Sequence, residues 1–172
     1  AISYLLLGST SLYEKQLPTR IDSPAHFGDY AIDIMDHLFV RDAVVHDRKI
    51  ETILEDMNFE DTLKLIVNSN QQDFPVVDRA GNLTGIISMT DMRTAMADPS
   101  LRQFLLAKDI AVTGVTTVTM DDSLNTALKL MADMDVSELP VVSKDNTGKI
   151  VSIISRKDIT RAYHEEMKRM KR

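Results

Sequence analysis

Residues 74–91 read FPVVDRAGNLTGIISMTD, and residues 139–158 read LPVVSKDNTGKIVSIISRKD. Each copy has an apolar residue, Pro-Val-Val, a turn, and a second apolar run ending in Ile-Ile-Ser, with an Asp three residues later. Pro75 and Pro140 are 65 residues apart, whereas Asp91 and Asp158 are 67 apart, because the second turn is two residues longer. An internal repeat comes before every other reading, since it decides the fold and where a cleft can form.

Around this doubled stretch the flanking elements repeat as well. Each Pro-Val-Val run predicts a strand, over 74–78 and 139–143, and each Ile-Ile-Ser run a second one, over 83–88 and 149–155. The turns fall at 79–82 and 144–148. Upstream, Asn58 and Ser123 are also 65 apart and are N-cap residues. They open helices whose apolar faces carry Phe59, Leu63, Ile66 and Val67 in one copy, and Leu124, Ala127, Leu128, Met131 and Ala132 in the other. Short strands are predicted over 50–54 and 116–119. Closing helices are predicted from about residue 90 to 97, stopped near Pro99, and from about residue 157 to the end. Each unit is β-α-β-β-α, which makes the fold class α+β. Three short strands and two helices leave part of a sheet face uncovered, so two units are expected to pack as a pseudo-twofold pair with a cleft between them. Ile32, Met35, Leu38 and Phe39 lie at helical spacing within 29–42. The expected division is 1–28 as a leading segment, 29–98 as the first repeat and 99–172 as the second.

Bulk properties exclude several classes. The 172 residues carry a net charge of −6 and only 5% aromatics, which argues against nucleic acid as a partner, since that partner needs a basic face. With no cysteine, neither a disulfide framework nor a thiolate zinc site can form. His26, His37, His46 and His164 are scattered. Asp33, Asp36 and His37 supply no evident third ligand, so no metal is expected. No nucleophile–base ordering, phosphate-binding loop or dinucleotide fingerprint is present, and no enzymatic activity is expected. The ten methionines read as flexible gap fillers of a core. The basic end, Lys168, Arg169, Lys171 and Arg172, complements a helix dipole.

The doubled pattern resembles the cystathionine β-synthase (CBS) domain in its tandem form, over roughly residues 40–165. The resemblance implies adenine-nucleotide binding (ATP, ADP or AMP) in the cleft through a Gly-h-h-Thr/Ser-x-x-Asp signature, h being apolar. Its Asp holds the ribose hydroxyls and its hydroxyl residue lies near the phosphate. The first copy supplies Gly85, Ser88 and Asp91; the second supplies Ser155 and Asp158, with Ser152 in the Gly place. A carboxylate suits a cis-diol, and a helix N-terminus suits a phosphate. Arg156 and Lys157 add cations in the second copy alone, so the Asp158 side is the better phosphate site. Ser-x-x-Asp is equally a capping box, and the residues leave both readings open. In this module the pocket walls and the ribose Asp come from opposite repeats, so Asp158 would face Gln71 and Gln72 while Asp91 would face Val136 and Ser137.

The leading segment carries a second resemblance. Residues 11–26, SLYEKQLPTRIDSPAH, look like the exit from the last membrane helix of CLC chloride channels and transporters, with AISYLLLG before it like the end of the preceding helix. Residues 1–7 are far shorter than the roughly 20 apolar residues of a membrane span, so they read as the tail of something longer. The resemblance implies that Tyr13 coordinates chloride in the whole protein. It further implies that the repeats are a cytoplasmic regulatory and dimerisation domain, joined to a membrane part of the same polypeptide. In relatives of that kind that bind ATP, an aromatic residue just before Phe-Pro stacks on adenine. Gln71 stands there instead, so weak affinity is expected. The other reading is a freestanding adenine-nucleotide sensor.

Overall fold

The computed structural model describes residues 34–45, 48–97, 100, 102–146 and 148–171. Tyr13, Asp33, His46 and the expectations for residues 1–28 lie outside these. Within them no helix is long and apolar enough to cross a membrane.

Each repeat builds a three-stranded sheet. In the first, β1 (Ile53–Leu54) runs parallel to β2 (Asp73–Val77), which pairs antiparallel with β3 (Leu83–Ser88). In the second, β4 (Val118–Thr119), β5 (Glu138–Val142) and β6 (Ile150–Ser155) repeat that order. The registers coincide: Ile53 faces Val76 as Val118 faces Val141, and Pro75 faces Ile86 as Pro140 faces Ile153. A proline in a central strand would ordinarily cost a ladder hydrogen bond. Here β1 and β4 begin their pairing at Val76 and Val141, one residue past the prolines, so the missing N–H faces no strand.

Among the described residues, 34–37 are helical, and these helices accompany the sheets: α1 (Val40–Ala43), α2 (Phe59–Val67), α3 (Met89–Ala95), α4 (Ala107–Ile110), α5 (Leu124–Asp133) and α6 (Arg156–Met170). The Asn58 side chain accepts from the Asp61 N–H at 2.9 Å, and Ser123 Oγ from the Thr126 N–H at 3.1 Å, as N-caps do. Three sequence expectations need correction. Val67 is 62% exposed and Ala132 is exposed, because the last turn of each helix rotates out of the core. Residues 29–42 are not one helix. Leu38 is a bend and Phe39 is extended, so that the Leu38 carbonyl accepts from the Leu124 N–H at 2.8 Å. Finally, α4 and the 3-10 turn Arg102–Phe104 were not expected at all.

The α1 and α4 segments are themselves repeat partners, VRDA and AKDI, 67 residues apart. They cross over between the halves. Val40, Ala43 and Val44 pack with Val118, Leu124, Met131, Ile154 and Ile159 of the second repeat. Ala107, with Leu105, Ile110 and Ala111, packs with Ile53, Phe59, Phe74, Ile87 and Met92 of the first. Backbone bonds seal both exchanges: Val40 N–H to the Asp122 carbonyl at 2.9 Å, and Ala107 N–H to the Met57 carbonyl at 2.8 Å. Each core therefore takes residues from both halves of the chain, which holds the two sheets in a fixed relation across the cleft.

Candidate ligand-binding cleft

The two Ile-Ile-Ser strands deliver Ser88 and Ser155 to helix N-termini at corresponding places. Both capping boxes form. Ser155 donates through its N–H at 3.0 Å and its Oγ at 2.6 Å to Asp158 Oδ2. Ser88 does the same to Asp91 Oδ2 at 2.7 and 2.6 Å. The capping reading is thus realised in both copies, and neither Asp lines a cavity directly.

Beyond the caps the two sites diverge. Asp158 is fully buried, and its other oxygen, Oδ1, is held by Arg48 at 2.9 Å and Arg161 at 3.1 Å. Burial pushes its pKa up, but the hydrogen bonds from Ser155 and Arg48 outweigh that and leave it below the ordinary carboxylate value. Asp91 is half-buried, and the contacts just described are both from Ser88.

Two adjoining cavities lie between the repeats. The first, about 580 Å³, is lined by Arg48, Lys49, Arg156 and Lys157 with Glu51 and Glu138, and by Gln71, Gln72, Ser137, Ile153 and Ser155. The second, about 490 Å³, has Ser88, Met89 and Thr90 facing Val136 and Ser137, with Asp73 and Asp135 but, among the described residues, no lysine or arginine in its lining. Gln71, Gln72, Ser69 and Ser137 are common to both and form the wall between them. Of the expected cross-repeat grouping, the neighbours of the two aspartates are brought to the opposite walls, while Asp158 and Asp91 themselves line neither cavity. Ser155, Arg156 and Lys157 meet Gln71 and Gln72, while the Ser88 side meets Val136 and Ser137. The first cavity is cationic and the second acidic.

Two expected site residues have other duties. Gln71 accepts from the Glu51 N–H at 3.1 Å and donates to the Glu51 and Asp73 carbonyls at 2.8 and 2.9 Å. Its amide is spent on the backbone rather than held open for a base. Arg156 donates to the Val136 carbonyl at 3.2 Å and the Met131 carbonyl at 3.0 Å, closing the C-terminal end of α5, where Asp135 takes a positive φ of 52°. Conversely, Arg48 and Lys49 were missed. They precede β1, outside the doubled stretch. Their counterparts at the 67-residue offset, Val115 and Thr116, are uncharged, so the repeat gives no hint of them. Extending the alignment back to the α1 and α4 segments would have placed them in the loop entering the cleft.

Asp73 and Glu138 are repeat equivalents at the starts of β2 and β5, half-buried, and both line a third cavity of about 240 Å³. Burial raises the pKa of each. Asp91 raises Asp73 further, and Asp73 and Asp158 raise Glu138 against the pull of Arg48. Among the described residues no group of three or more carboxylates and imidazoles is placed to hold a metal ion. Asp36 instead accepts from Asn125 at 2.6 Å.

Known proteins share this chain's sequence in part and its fold. Homoserine O-acetyltransferase of Methanohalophilus mahii is 32% identical over 120 residues, covering 69% of this chain and 23% of that protein. The chain spans about a quarter of the length of the first curated relatives it matches. Two solved structures share the fold. CBSX2 in complex with AMP has a TM-score of 0.64 at 21% identity, covering 76% of this chain and 98% of that one. The CBS domain pair of protein MJ0100, in complex with 5′-methylthioadenosine and S-adenosyl-L-methionine, has a TM-score of 0.61 at 24% identity, covering 74% and 97%. The CBS domain model matches residues 40–98 and again 107–165, each match beginning at one of the crossed-over segments, and the chain belongs to the CBS-domain family as a tandem pair.

Proposed function

We propose that this CBS pair is a regulatory sensor of an adenine nucleotide, bound in the cationic cavity beside Asp158. The observation that carries the reading is the charge of that cavity, where Arg48, Lys49, Arg156 and Lys157 outnumber Glu51 and Glu138 around the N-terminus of the long helix α6, a favourable place for a phosphate. AMP in the CBSX2 complex and the adenosyl compounds in the MJ0100 complex support an adenosyl ligand for this chain. The second cavity, acidic and without a cationic side chain among the described residues of its lining, is the poorer phosphate site.

Affinity is expected to be weak. Among the described residues no aromatic ring lines the cationic cavity, and base stacking is worth about 1–3 kcal/mol, or roughly 5- to 150-fold in affinity. Calorimetry with AMP, ADP and ATP tests the reading. Binding should be lost or cut at least tenfold by Lys157→Ala and Asp158→Ala and little changed by Asp91→Ala. A tight complex indifferent to Asp158→Ala contradicts it.

A narrower version attaches the sensor to the cytoplasmic side of a CLC-type channel or exchanger, where Tyr13 would serve chloride. Residues 11–26 alone support it, and the sensor reading stands without it. Reading the parent gene upstream of residue 1 decides between them, since many hydrophobic spans are expected for a channel. Homodimerisation is likewise proposed, with sedimentation velocity as its check.

A further inference from the structure

We propose that Arg48 reads the ligand's phosphate by exchanging partners. It leaves the Asp158 carboxylate for the anion, and so frees Asp158 Oδ1 for the ligand's hydroxyls. The inference rests on the nucleotide reading above and names the residue and the move that would make that reading work.

Asp158 is sealed in the observed arrangement. Its Oδ2 serves the cap of α6, and those bonds cannot be given up without fraying the helix. A ribose hydroxyl can therefore reach this carboxylate only through Oδ1, where Arg48 and Arg161 converge. The two are not equally held. Arg161 stands on α6 itself and also donates to the Ala43 carbonyl at 2.8 Å. Arg48 has the shorter contact to Asp158 and is the less exposed of the two, 34% against 42%, but it lines the cavity and its second contact, to the Ile153 carbonyl, is long at 3.4 Å.

The charges also allow the exchange. Stripping a buried carboxylate of its partner is strongly destabilising, but Arg161 stays on Asp158 when Arg48 departs. The departing guanidinium takes up an anion with the bidentate geometry that suits phosphate. The first repeat has no such device, since Val115 and Thr94 stand at the places of Arg48 and Arg161, 67 residues away. Arg48 also lies in the chain between α1, packed in the second core, and β1, in the first sheet. The exchange thus ties phosphate occupancy to the junction of the two halves.

Calorimetry with adenosine, AMP and inorganic tripolyphosphate on the wild type, Arg48→Ala and Arg48→Lys tests this, together with the Arg48 Nε resonance of the wild type. The wild type should prefer AMP to adenosine. Arg48→Ala should cut that preference about tenfold to a hundredfold while adenosine binds as well as before or better, and Arg48→Lys should restore part of it. The Nε resonance should move with AMP and tripolyphosphate and stay with adenosine. Wild-type binding of neither adenosine nor AMP sinks the nucleotide reading and the exchange with it. Binding with an AMP-to-adenosine ratio unchanged in Arg48→Ala, or a resonance indifferent to AMP, sinks the exchange alone.

Discussion

Gly85 has no room for a side chain. A Cβ there would lie 2.8 Å from Ala111 Cβ and 3.0 Å from the Val112 carbonyl oxygen, because Ile86 and Val112 exchange backbone hydrogen bonds at 3.0 and 2.9 Å. The glycine of the nucleotide signature is thus accounted for by packing of the crossed-over segment, with no ligand needed. Ser152 is buried in the same place of the second repeat, where no such bridge forms among the described residues. Gly85→Ala is expected to destabilise the protein by about 1–3 kcal/mol through overpacking. Thermal denaturation without ligand checks it, and an unchanged melting temperature would contradict the packing account. At this scale the sequence was legible in type more than in duty. Asp158, Ser155 and Lys157 could be named from the motif. That Gln71 and Arg156 are bonded to the Glu51 and Met131 backbone could not, because those partners are 20 and 25 residues away in the chain.

The strands were readable as short apolar runs bounded by turns, β2 and β5 being buried almost throughout, and the longer helices by their apolar period, while Asn58, Ser123, Ser88 and Ser155 cap as their side chains dictate. The short helices α1 and α4 were not, since four residues are too few for a helical period to show. Their signal is the repeat itself. The starts of the two middle strands make the prediction that belongs here. Asp73 and Glu138 both have raised pKa values, burial being the largest cause, so their ionised forms weaken the fold at neutral pH. That penalty is absent below their ordinary values of 3.8 and 4.5 and grows as pH rises through the elevated folded values. Asp73→Asn and Glu138→Gln should therefore raise the melting temperature at pH 7, with the gain shrinking as the solution is acidified. A gain that persisted undiminished below pH 3.8 would contradict it. Asp158 acts in the opposite sense: its lowered pKa stabilises the fold above the ordinary value of 3.8, and that contribution is lost as acid protonates it.

In the whole molecule the crossed α1 and α4 segments make two cores out of four pieces, and the cavities lie where the halves meet. The doubled Pro-Val-Val and Ile-Ile-Ser runs foretold the pairing and the cleft. Arg156 and Lys157 already marked the Asp158 side as the better phosphate site, but the further cations of that cavity, Arg48 and Lys49, arrive from before β1 and were not foretold. That asymmetry is the basis for assigning the phosphate to one side. A crystal structure of the chain grown with AMP tests the assignment most directly. The account predicts AMP in the cavity beside Asp158, its phosphate among Lys49, Lys157 and an Arg48 that has turned from the carboxylate. AMP seated solely in the acidic cavity beside Ser88 and Asp73, or an empty cleft at saturating AMP, would contradict it.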